Sequence, residues 1–152
     1  MTKIALLTGL AVTVAACGGE KNAAKGESTS VAVSTPAPAA GATHDVNMVL
    51  EGTSYKFVPA DLSIKVGDKV VFHNVSGGPH NVSFWPDSIP AGGKEVLEPQ
   101  MPDEIGPLQG ALLVDPNASV TLSFANAPAG VYKIYCTPHL AMKMTGTITV
   151  TQ

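Results

Sequence analysis

The sequence contains no arginine, and its nine basic residues are lysines scattered along the chain without a basic stripe. Charged residues make up only 14% of the 152 residues. Because nucleic-acid binding depends on clustered positive charge, this pattern excludes nucleic acid as a partner. The chain also lacks an internal repeat and a long membrane-spanning run. Its apolar stretch at residues 4–16 is shorter than the about 20 residues that cross a bilayer.

That short apolar stretch has the features of an export signal. Lys3 precedes it, and it ends in Val14-Ala15-Ala16-Cys17-Gly18. Small residues before a cysteine at such a position resemble the lipobox of bacterial lipoproteins, which implies cleavage before Cys17 and lipid on its thiol. The alternative is an ordinary signal peptide whose cleavage site lies near a cysteine. We expect residues 1–16 to be a lipoprotein signal peptide and the mature chain to be membrane-anchored, facing the periplasm or cell exterior.

The segment after Cys17 is rich in Ala, Ser, Gly, Thr and Pro and contains no aromatic residue up to Thr43. Such a composition cannot bury enough apolar surface to offset the entropy lost on ordering. We expect residues 17–43 to form a flexible tether between the anchor and a folded domain at residues 44–152.

The folded domain shows the two-residue alternation of half-buried strands. The alternating apolar positions are Val46/Met48/Leu50, Leu62/Ile64/Val66, Val120/Leu122/Phe124, Tyr132/Ile134/Cys136 and Ile148/Val150. Short strands separated by Gly, Pro and Asn turns predict an antiparallel β-sandwich. Residues 86–116 contain six prolines and no clear period, so we expect mostly loop there, with one helical turn.

The two cysteines have different expected fates. If Cys17 carries lipid, Cys136 is a lone thiol in an oxidising compartment, where it must be buried or coordinated. His139, Met142 and Met144 follow it within eight residues. A thiolate, an imidazole and a thioether together form a soft ligand set that suits copper.

A further nitrogen ligand can come from one of the three other histidines. His44 ends the tether, so we expect it to be solvated, and His73 lies within a strand, where a surface role is the simpler interpretation. His80 follows Gly77-Gly78-Pro79, whose irregular backbone would place its imidazole at the end of the sandwich. His80 is therefore the predicted second nitrogen ligand.

Four segments carry a family resemblance. Residues 67–82, 89–92 and 132–136 resemble plastocyanin, and residues 136–144 resemble the ligand loop of pseudoazurin. The chain is identified as a member of the plastocyanin/pseudoazurin group of cupredoxins over residues 45–150. The resemblance implies a Greek-key β-sandwich of about eight strands that binds one blue (type 1) copper ion.

The resemblance also implies roles for individual residues. His80, Cys136 and His139 correspond to the near-trigonal ligands, and Met144 has the plastocyanin and pseudoazurin spacing for the weak axial ligand. Met142 has the shorter spacing of amicyanin and remains the alternative. Asn81 matches the family Asn that ties the ligand loops together, with Thr137 as the expected partner.

The implied function is a monomeric electron carrier with weak, transient redox partners. An apolar docking patch is expected around His139 from Pro138, Leu140, Ala141 and Met142. A copper storage or delivery lipoprotein and a metal-free adhesive sandwich are the alternatives. An enzyme is disfavoured, because four protein ligands leave no open position for a substrate.

Overall fold

The computed structural model describes residues 41–152, which form two four-stranded sheets packed face to face. The strands are β1 (Thr43–Glu51), β2 (Ser54–Val58), β3 (Asp61–Lys65), β4 (Lys69–Asn74), β5 (Ser83–Phe84), β6 (Ser119–Ser123), β7 (Gly130–Tyr135) and β8 (Thr145–Thr151). One sheet has the order β2-β1-β4-β6 and the other β3-β8-β7-β5. The predicted eight-stranded sandwich is confirmed. Its strands are not all antiparallel, since β1 pairs with β4 and β3 with β8 in parallel.

The core lies between the two sheets, where the alternating residues of the sequence meet. Val46 and Met48 of β1 and Tyr132 and Ile134 of β7 are at most 2% exposed. The expectation for Leu50 was wrong, because β1 is ending there and the side chain is 36% exposed. Burial of large apolar side chains of this kind stabilises a domain by about 1.5–3 kcal/mol each.

The proline-rich connection between β5 and β6 is mostly loop, as predicted. It contains α1 (Gly93–Leu97) between two 3₁₀ turns at Pro86–Ser88 and Glu98–Gln100. Leu97, Met101 and Leu108 anchor it, each at most 5% exposed. The Gln100 amide also bonds both backbone groups of Ser123, which covers the free edge of β6.

The start of the domain corrects the expectation for His44. This residue lies near the beginning of β1, which starts at Thr43. His44 is not simply solvated, because its Nε2 lies 2.8 Å from Asp68 Oδ2, and the same carboxylate accepts the backbone N–H groups of Ala42 and Lys65. The expected signal peptide, Cys17 and the expected tether up to residue 40 lie outside the described residues. No helix within residues 41–152 is long and apolar enough to cross a membrane.

Candidate metal centre

Three side chains from two segments meet at one end of the sandwich. His80 lies in the irregular stretch between β4 and β5, and its backbone pairs with that of Leu113. Cys136 directly follows β7, and His139 follows in the turn that leads to the 3₁₀ turn Leu140–Met142. The three side chains are 0%, 0% and 7% exposed, respectively.

Their donor atoms form a nearly equilateral triangle. Cys136 Sγ lies 3.5 Å from His80 Nδ1 and 3.4 Å from His139 Nδ1, and the two nitrogens are 3.1 Å apart. A point equidistant from these atoms is about 2 Å from each, close to the metal–nitrogen and metal–sulfur distances known for tetrahedral zinc. The buried triangle therefore has the size and the donor set to hold one soft or borderline metal ion.

The tautomer of His80 is set by its outer hydrogen bond. His80 Nε2 lies 2.9 Å from the backbone oxygen of Ser76, which can only accept a hydrogen bond. Nε2 is therefore assigned the proton, and Nδ1 of the neutral ring presents a lone pair to the centre. Such a second hydrogen bond also fixes the orientation of a metal-binding imidazole.

His139 is held by an aromatic neighbour that sequence reasoning missed. The Tyr55 ring stacks on it, with centroids 3.8 Å apart and planes inclined by 12°. Burial, with a smaller contribution from the nearby His80, lowers the pKa of His139. Both effects favour the neutral imidazole that a metal requires.

Cys136 is shielded from water in the metal-free protein. Burial raises the pKa of its thiol, and backbone hydrogen bonds from Asn81 and His139 only partly oppose that shift. A free thiol here is therefore mostly protonated, whereas a bound cation would favour the thiolate. Metal binding at this site must release the thiol proton.

The two methionines of the loop are placed differently. Met144 is completely buried, and its backbone bonds to both Cys136 and His139. Met142 is 46% exposed. The structure therefore places the Met144 side chain inside the domain, beside the ligand segment, and leaves that of Met142 at the surface.

Asn81 and Thr137 are in direct contact across the two ligand segments. The Thr137 N–H donates to Asn81 Oδ1 at 2.7 Å, and Asn81 Nδ2 lies 3.2 Å from Thr137 Oγ1. Asn81 Nδ2 also donates to the Gly110 oxygen. Ser83 and Gln109, which sequence reasoning missed, join the network through Thr137 Oγ1.

The residues expected to surround His139 at the surface are exposed. Pro138 and Ala141 are open to solvent, and Leu140 is 40% exposed. Together with Met142, which is also exposed, we call these residues of the turn that holds His139 the His139 patch. Its four residues all belong to the turn between β7 and β8.

A β-sandwich that gathers one buried cysteine and two histidines at its end defines a class of copper-binding proteins. Residues 44–151 match the family described as copper binding proteins, plastocyanin/azurin family. This match covers more than half of the chain, and the chain belongs to that family.

Curated relatives and a solved structure agree with the family match. The chain is 42% identical over 94 residues to chloroplastic plastocyanin of Silene latifolia subsp. alba, covering 62% of this chain and 52% of that protein. It is 43% identical over 96 residues to plastocyanin of Solanum crispum, covering 62% and 86%. Oxidized plastocyanin from Dryopteris crassirhizoma superposes with a TM-score of 0.57 at 30% identity, covering 70% of this chain and 99% of that one. The chain thus spans only about half the length of the Silene relative.

Proposed function

We propose that this protein is a single-electron carrier that uses one copper ion held by His80, Cys136, His139 and Met144. The observation that carries the proposal is the buried triangle of Cys136 Sγ and two imidazole Nδ1 atoms, with sides of 3.1–3.5 Å. Copper supplies a one-electron couple between Cu(I) and Cu(II) when bound. Membership of the copper-binding family and similarity to plastocyanins support the same function.

The protein contributes a ligand geometry that does not need to change when the electron moves. His80 is fixed by Ser76, His139 by the Tyr55 stack, and Cys136 by the Asn81–Thr137 contacts around it. Such restraint keeps the reorganisation on electron transfer small. Met144, buried beside the ligand segment, would complete the set with a weak thioether donor. The four protein donors leave no position for a substrate, so we propose a carrier and not an enzyme.

Electrons would enter and leave through the His139 patch. The patch is small and apolar, which suits brief contact with a redox protein at the low end of interface areas. The proposed partners are therefore redox proteins that bind weakly, while the carrier itself is a monomer.

We further propose that the chain is exported and held at a membrane by lipid on Cys17. This rests on the sequence alone, in the small residues before Cys17 and the composition of residues 17–43. The tether would give the copper domain reach toward membrane-bound partners on the periplasmic or outer face.

Redox titration of the copper-loaded protein tests the carrier function. We expect a reversible one-electron transition and fast electron exchange between oxidised and reduced copies, with copper retained through repeated cycles. A storage or delivery protein would instead release Cu(I) to a competing chelator on reduction and exchange electrons slowly. That second result would contradict the proposal.

A further inference from the structure

Asn74, the last residue of β4, is a buried polar side chain close to the metal centre. It is 3% exposed, and its Nδ2 donates to the backbone oxygens of Leu113 and Asp115 at 2.8 and 2.9 Å. Its own backbone pairs with Ala118 and Asn117 at 2.8 Å. Through these hydrogen bonds Asn74 holds the last residues of the long connection before β6 against the end of β4.

The carbonyl oxygen of Leu113 connects the Asn74 side chain to the backbone of His80. It accepts one hydrogen bond from Asn74 Nδ2 and another from the His80 N–H at 3.2 Å. The Leu113 N–H donates back to the His80 oxygen at 2.7 Å. The main chain of His80 is thus paired with a segment whose position depends on the Asn74 amide.

The opposite side of the amide is packed against the chain that leads into His80. A Cβ atom at Gly78 would lie 2.7 Å from Asn74 Oδ1 and 2.9 Å from Nδ2. These separations are too short for ordinary contact. A side chain at position 78 would therefore displace the Asn74 amide, whereas glycine, two residues before His80, leaves it in place.

We propose that Asn74 is a positioning residue for His80. Its amide lies between Gly78, which precedes His80, and Leu113, which pairs with His80. In this position it fixes the imidazole relative to Cys136 and His139. The inference rests on the copper-ligand role proposed for His80. The connection between β5 and β6 then helps to position the metal centre, because the backbone of Leu113 in that connection bonds both the Asn74 amide and the main chain of His80.

The main test is Asn74→Asp, which keeps the shape of the side chain but removes both donated hydrogens when ionised. In the metal-free protein, we expect amide hydrogen exchange at His80 and Leu113 to accelerate at least about tenfold, with Tyr132 of β7 unchanged. In the copper-loaded protein, we expect a shifted visible spectrum and a changed reduction potential. Asn47→Asp, the same exchange at an exposed position of β1, is the matched control and should alter neither.

A second variant perturbs the amide from its other side without removing any hydrogen-bonding group. Gly78→Ala should reproduce the spectral and potential shifts of Asn74→Asp, because the new methyl group displaces the amide. Combined with Asn74→Ala, which vacates the space, the same methyl group should have much less effect, and a double-mutant cycle measures that coupling.

Two results would overturn the inference. One is accelerated exchange at His80, Leu113 and Tyr132 alike with a wild-type spectrum and potential, which would leave Asn74 a general stability role. The other is a Gly78→Ala effect of equal size with and without Asn74. If the wild-type protein itself gave no visible copper band, the proposed function would fail, while the exchange data on metal-free protein would still decide whether Asn74 holds His80.

Discussion

The Tyr55 ring lies nearly parallel to that of His139, with centroids 3.8 Å apart, although 83 residues separate them in the chain. Tyr55 comes from β2, in the sheet that does not contain Cys136. The stack therefore joins the two sheets at the metal centre. Tyr55 also packs edge-on with the His80 ring, and the centroids of these two rings are 6.1 Å apart.

Removing this stack should weaken the domain at the metal centre. Tyr55→Leu is expected to lower the free energy of unfolding of the metal-free protein by about 1 kcal/mol beyond the loss of buried area, as for other aromatic pairs. Tyr55→Phe, which keeps the stacked ring, is the control and should change it little. Denaturant unfolding measures both, and equal losses in the two variants would contradict the role of the stack.

The placement of Met144 and Met142 predicts different effects on the reduction potential. Met144→Leu should raise the potential by roughly 59 mV or more, a tenfold change in a one-electron equilibrium, because Cu(II) depends more than Cu(I) on a fourth donor. Met142→Leu, at an exposed position, should change it little. Voltammetry compares the two variants. The reverse pattern would assign the axial position to Met142.

The His139 patch can be tested without a known partner. Leu140→Glu places a carboxylate on the patch, and repulsion between two copies should slow electron self-exchange at least about tenfold, equivalent to about 1.4 kcal/mol in the encounter. The visible spectrum should stay unchanged. Val131→Glu, at an exposed position of β7, is the matched control. An unaltered rate for Leu140→Glu, measured by NMR line broadening, would place the entry point elsewhere.

The environment of Asp68 predicts how the free energy of unfolding depends on pH. The Lys65 N–H, followed by the His44 side chain, lowers the pKa of Asp68 below its ordinary 3.8. A depressed folded pKa means that the ionised carboxylate stabilises the fold fully above that ordinary value. The contribution is lost as the pH falls through the lower folded pKa.

The expected acid sensitivity has a direct control. Asp68→Asn should reduce the fall in unfolding free energy of the metal-free protein as the pH drops below 3.8, while Asp61→Asn, at an exposed position of β3, should leave it as in wild type. Denaturant titrations at several pH values compare the three proteins. An identical acid dependence in wild type and Asp68→Asn would contradict the assignment.

Local sequence patterns predict much of this molecule. The alternation Tyr132, Ile134, Cys136 gives both the buried face of β7 and the inward direction of the thiol, because side chains alternate along a strand. The spacing of His139 and Met144 after Cys136 places them in one tight turn. The irregular backbone expected at Gly77-Gly78-Pro79 pointed to His80, and the structure brings His80 together with Cys136 and His139.

The other features of the fold and of the site depend on how distant parts of the chain are placed together. Local sequence patterns carry no information on that placement. The parallel pairing of β1 with β4 arises from crossovers between sheets, so alternation alone could not distinguish it from an antiparallel pair. The contact of Tyr55 with His139 and the bonds of His44 to Asp68 likewise join residues that are distant in sequence. Each depends on which strands lie side by side or face each other, and local alternation does not determine that.

The most direct test of the account is copper titration of the wild-type protein and Cys136→Ser, followed by visible absorption. We predict one copper per wild-type chain and an intense thiolate-to-copper band. Cys136→Ser should lose that band and keep the circular dichroism of the sandwich, whose core is formed by the apolar faces of the strands. A Cys136→Ser protein that remained blue would contradict the assignment of the metal centre.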